Sequence, residues 1–115
     1  MTDEVRRDAL LAATPAEVWR ALTDPAALSS WFGGDVRIDP RPRGDVVERR
    51  PDGTTREGIV ISVVPSVRLV IAWSETTTSP ASRLEVVLEP EGDGTRMTVT
   101  ERALQPFEFR AEAAR

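Results

Sequence analysis

The chain has 115 residues and a net charge of −4, with no cysteine, histidine or tyrosine, and all its cations are arginines. This excludes disulfides, thiolate nucleophiles, imidazole or thiolate metal sites and Schiff-base lysines, and it lacks the basic footprint of a nucleic-acid binder. A single domain over 1–115 can bury about two thirds of its unfolded surface unaided; with neither a signal-peptide core nor an apolar run near ~20 residues, a cytoplasmic chain without a membrane partner is expected.

After a first strand, residues 14–34 read as two short helices set back to back. Thr14, Pro15 and Glu17 compose a capping box, the threonine hydroxyl accepting from a first-turn amide while the glutamate reaches back. Asp24-Pro25 repeats the start signal, and Gly33 supplies a left-handed stop after Trp31-Phe32. Trp19 shares a helical face with Val18 and Leu22, which predicts a core position.

The rest of the chain alternates with a period of two. A strand at about 45–50 meets Pro51-Asp52-Gly53, a hairpin signal, and a strand starting near Thr55 places Ile59, Ile61 and Val63 on one face. Pro65-Ser66 turns into Arg68–Trp73, where Leu69, Ile71 and Trp73 share a face. Residues 82–90 set Leu84, Val86 and Leu88 against Arg83, Glu85 and Glu89. Past the glycine turn at 91–94, Met97 and Val99 point inward on a strand from Thr95 to Arg102. The predicted fold is α+β: β-α-α followed by a curved antiparallel meander of five to six strands with one wet face.

Extending the alternation turns two carboxylates inward, Glu57 and Glu101. Burying an unpaired carboxylate costs several kcal/mol, so each is either functional or a rim residue that a bulge returns to solvent. Trp31 and Phe32 are either ligand contacts or a plug at one end of the core, and Trp73 either lines a pocket or packs beneath the C-terminal segment. The glycine pairs at 33–34 and 92–94 lack the order and the lysine of a phosphate loop, and the aspartates lack calcium-loop spacing. Neither a cofactor nor a metal is expected.

The motifs Thr14-Pro-Ala-Glu-Val-Trp-Arg-Ala-Leu, Trp31-Phe-Gly, Pro51-Asp-Gly, Val64–Trp73 and Gly94-Thr-Arg-Met-Thr-Val-Thr-Glu101, in that order and spacing, resemble the SRPBCC (START/Bet v 1-like) superfamily. The resemblance is strongest to the branch named after the activator of the heat-shock protein 90 ATPase, a branch with many bacterial members. It implies a helix-grip fold, a curved sheet wrapped around a C-terminal helix with a cavity between them. Here residues 103–115 contain Pro106, so a shortened closing helix is expected.

Three functions follow as expectations. The first is a non-enzymatic module holding a small apolar or aromatic molecule, or a partner's apolar segment, against Trp31, Phe32, Ile59, Ile61, Leu69, Ile71, Trp73, Leu84, Val86, Met97 and Val99. The second, implied by enzymatic relatives, is a cyclase- or hydrolase-like enzyme using Glu101 or Glu57. The third, taken from the branch name, is a co-chaperone-like stress-response protein. Leaving ~400 Å² of the apolar face bare would forfeit about 10 kcal/mol. That predicts either a homodimer whose tails, through Phe107 and Phe109, cover each other's sheets, or a tail folded over its own.

Overall fold

The computed structural model describes residues 4–32, 34–75 and 81–104, the side chains of 31 and 32 excepted. The strand β1 (Glu4–Leu11) leads into the helices α1 (Pro15–Leu22) and α2 (Pro25–Phe32), and six strands follow: β2 (Asp35–Ile38), β3 (Asp45–Arg49), β4 (Thr55–Val64), β5 (Arg68–Ser74), β6 (Ser82–Glu91) and β7 (Gly94–Ala103). They form one curled, seven-stranded antiparallel half-barrel in the order β1-β7-β6-β5-β4-β3-β2. β1 and β2 therefore occupy opposite edges, and the helix pair that joins them has to cross the sheet's concave side. The architecture is the α+β helix-grip arrangement expected from the sequence. The sixth meander strand, β2, carries only Val36 and Ile38 as apolar positions, too short an alternation to read in advance.

The helix starts are built as their residue types dictate. Glu17 N donates to Thr14 Oγ1 at 3.2 Å, and Thr14 N donates to Glu17 Oε1 at 3.0 Å. These hydrogen bonds from Thr14 hold the Glu17 carboxyl below its usual range. Asp24 Oδ2 accepts from Ala27 N at 3.0 Å to cap α2. Ser29 Oγ then accepts from Val36 N at 2.9 Å and fastens α2 to β2. The stop expected at Gly33 lies outside the described residues.

Between strands, Gly53 (φ 91°) and Gly92 (φ 58°) take the left-handed conformations their turns require. Gly94 serves a different need: a Cβ there would stand 2.3 Å from Leu11 O, so only glycine lets the end of β1 approach β7.

The core lies between the concave face and the helices. Val18 and Leu22 of α1, and Leu28 of α2, meet Val36, Val46, Val60, Leu69, Ile71, Trp73, Leu84, Val86 and Leu88 of the sheet. Trp19, half-buried, packs against this cluster, as do Met97 and Val99. The sheet residues of the cluster itself are at most 5% exposed within the single chain, whereas Met97 and Val99 are half-buried. Leu69, Ile71, Trp73, Leu84, Val86 and Leu88 are thus covered within the chain; Phe107 and Phe109, through which a dimer was expected, lie outside the described residues.

One strand departs from the sequence reading. β4 pairs Val60 with Ile71 but Ser62 with Val70, so a bulge inserts one extra residue at Ile61. Parity changes there: Arg56, Gly58 and Val60 face inward before it and Val63 after it. Ile59, opposite Ala72, is on the outer face, as is Glu57, opposite Ser74 and exposed. The inward placement of Ile59, Ile61 and Glu57 is therefore corrected. A strict alternation anchored on Val63 carries across the bulge with the wrong sign.

Candidate functional site

The concave face has an apolar floor and an ionic end. On the floor, Leu22 and Leu28 of the helices close over Val36, Ile38, Val46, Leu69, Ile71, Trp73, Leu84 and Val86. They enclose a cavity of about 30 Å³ with no polar lining. A space this small and this apolar stays dry. Five of the residues singled out from sequence line it: Leu69, Ile71, Trp73, Leu84 and Val86. Met97 and Val99 share the face but lie outside the cavity wall, Ile59 and Ile61 do not contribute, and the side chains of Trp31 and Phe32 lie outside the described residues. A larger open groove of about 530 Å³ runs between the end of β1 and the β6–β7 turn, remote from this face.

At the hairpin end of the same face, five charged side chains alternate in sign. The β3–β4 register sets Glu48 opposite Arg56, and Glu48 is 1% exposed. Its Oε1 accepts from Arg56 Nε at 2.7 Å and from Arg50 Nε at 3.2 Å. Arg50 Nη1 continues to Glu75 Oε1 at 2.8 Å. Arg56 Nη1 donates to Glu101 Oε2 at 3.2 Å, and the same oxygen accepts from Trp73 Nε1 at 3.2 Å. The Arg56 guanidinium carbon lies 3.7 Å from the centroid of the Trp73 ring, a cation–π stack.

Trp73 joins the two zones, its ring walling the cavity while its N–H holds Glu101. Gly58 lies opposite it in β4. A Cβ at 58 would stand 1.9 Å from Ala72 O and 2.6 Å from Trp73 Cα, so glycine keeps β4 against β5 beneath this pair.

Burying such a network is expensive. Desolvation of Glu48 offsets much of its attraction to the arginines, so the network contributes less to stability than an apolar packing of equal volume would. Glu101 lies on the inner face, opposite Leu84 and Val5. Glu48, Arg50 and Arg56 were not legible as site residues. The signal was the hairpin turn at 51–53: it fixes the register that places Glu48 across from Arg56, two opposite charges sharing a face with Val46. Among the described residues no group of three acidic side chains is arranged to hold a metal, and no helix is long and apolar enough to cross a membrane.

A curled antiparallel sheet gripping helices over an apolar concavity is the SRPBCC, or START/Bet v 1-like, architecture. Within it, residues 12–114 match the family described as activator of Hsp90 ATPase homolog 1-like protein, and the chain belongs to that family. Among solved structures it is similar to MLL2253 of Mesorhizobium loti, with a TM-score of 0.77 and 22% identity over 96% of this chain and 83% of that one. It is also similar to DynU16, a putative protein in the dynemicin biosynthetic locus, with a TM-score of 0.77 and 26% identity over 97% of this chain and 42% of that one. CalU16 of Micromonospora echinospora is similar with a TM-score of 0.70 and 27% identity, over 97% of this chain and 66% of that one. The chain thus spans less than half the length of DynU16. Comparison with curated proteins gives no match.

Proposed function

We propose that the concave face binds a small apolar or aromatic molecule without transforming it. The observation that carries this reading is the cavity: a dry, wholly apolar space walled by two helices and four strands, with Trp73 leading from it to a polar rim. At about 30 Å³ the cavity is far below the ~300 Å³ from which ligand pockets run, so on this reading it must widen to admit a ligand. Entry requires the helical wall, Leu22 and Leu28, to move away from the sheet. The likeness to DynU16, a protein of a biosynthetic locus, supports a small-molecule ligand over a macromolecular one.

Titration with N-phenyl-1-naphthylamine, a dye uncharged at neutral pH, tests the reading. Saturable one-site binding with a rise in melting temperature that grows with dye concentration is the expected result. Non-saturable fluorescence without stabilisation would overturn it.

One observation favours a second reading, a cyclase- or hydrolase-like enzyme: an inward carboxylate, Glu101, sits beside a mostly buried arginine, Arg56. On that reading Glu101 takes a proton from a bound substrate while Arg56 steadies the developing charge. Chemical change of a bound ligand that is lost in Glu101→Gln would replace the first reading with this one.

A further inference from the structure

We propose that the ionic end selects the polar head of the ligand, accepting an amine or another hydrogen-bond donor and rejecting a carboxylate; this rests on the apolar-ligand reading above. The sequence of pairs runs Glu75, Arg50, Glu48, Arg56, Glu101, with a carboxylate at each end and three anions to two cations. Each guanidinium is already committed to two carboxylates. The cation nearest the floor is also the shielded one, Arg56 being 15% exposed and stacked on Trp73, whereas the terminal Glu101 and Glu75 are 33% and 43% exposed. Arg7, the inner-face cation of β1, stands opposite Val99, one row away from Glu101.

A ligand seated on the floor against the Trp73 ring therefore brings its polar end to Glu101, the residue Trp73 itself holds. An ammonium or hydroxyl placed there adds a donor to an acceptor with spare lone pairs. A carboxylate placed there meets the charge of Glu101, while Arg56, the cation bonded to Glu101 among the described residues, is already shared with Glu48, and Arg7 stands a row away beside Val99. Charge arrangement of this kind works mainly by excluding the wrong partner.

Calorimetric titration at pH 7 and about 0.15 M salt, where charges beyond ~8 Å are screened, compares three molecules sharing one ring system: 2-(1-naphthyl)ethylamine, 2-(1-naphthyl)ethanol and 1-naphthylacetate. The amine is expected to bind at least about tenfold tighter than the acid, with the alcohol between them. Glu101→Gln and Glu75→Gln should each narrow that ratio; the second, at an exposed position with one bond, does so without risk to folding. Glu89→Gln, an exposed acid on the outer face, should leave it unchanged. Equal or tighter binding of the acid, a ratio untouched by both site variants, or a ratio narrowed equally by Glu89→Gln overturns the inference. Failure of all three to bind while the neutral dye still saturates also overturns it and spares the apolar-ligand reading; failure of the dye as well removes both.

Discussion

The two ends of the concave face solve the burial problem in opposite ways. The floor removes aliphatic side chains from water and gains roughly 25 cal/mol per Å² for doing so, with nothing left over to satisfy. The hairpin end removes a carboxylate from water and then needs Arg56, Arg50, Glu75, Glu101 and the Trp73 N–H to make that tolerable. The floor is therefore tolerant of conservative change, and the ionic end is not: on the floor a lost methylene is a local defect, whereas at the end a lost partner strands a charge.

Trp73→Ala should have the largest effect, because it belongs to both zones. It removes a ring that is 1% exposed together with a donor to Glu101, and a loss of about 3–5 kcal/mol in urea unfolding is expected. Glu48→Leu should follow at about 3 kcal/mol, leaving Arg56 and Arg50 short of an anion. Pairing it with Arg56→Leu should restore part of that loss, and a double-mutant cycle reads the difference. On the floor, Ile71→Val should cost only about 1 kcal/mol. Were Ile71→Val to cost as much as Glu48→Leu, the contrast between the ends would be wrong.

Comparable in size is the cap of α1. Thr14→Ala should lower stability by about 1 kcal/mol. The carboxyl of its partner Glu17 titrates below its usual value near 4.5 because of the Thr14 hydrogen bonds, so its contribution is fully present above that value and disappears as pH falls through the lower, folded one. The stability gap between the protein and Glu17→Gln, measured by urea unfolding at neutral pH and again near pH 3, should shrink in acid. Glu57→Gln should fall within about 0.5 kcal/mol of wild type, as expected of an exposed outer-face residue.

The sequence made the frame legible wherever one periodic signal ran uninterrupted. The Thr14–Glu17 box, the turns at 51–53 and 91–94, and the rows Leu69-Ile71-Trp73 and Leu84-Val86-Leu88 all stand where their spacing places them. Reading failed where local and tertiary requirements diverged. The run Ile59-Val60-Ile61 is apolar on both faces, so nothing in it betrays the extra residue that reverses parity. That single insertion sends Glu57 outward and turns Arg56 inward. Glu48 was hidden for a related reason: one Glu in a short strand beside Val46 looks solvated until cross-strand pairing supplies its partners. The helices' share of the cavity wall, Leu22 and Leu28, was hidden because alternation along strands says nothing about what covers them.

The position of β1 carries a consequence for how the molecule assembles. Every pairing from β2 to β7 joins neighbours in the chain, but β1 pairs with the last strand, Glu4 against Arg102 and Leu11 against Thr95. Closing so long a loop costs entropy that local hairpins do not incur. The meander is thus expected to form first, with β1 and the helix pair docking late as a strap drawn across a finished sheet. Substitutions at Ala9 or Leu11 should then speed unfolding while leaving the refolding rate nearly unchanged, a near-zero φ-value, whereas substitutions at Leu84 or Val86 should slow refolding.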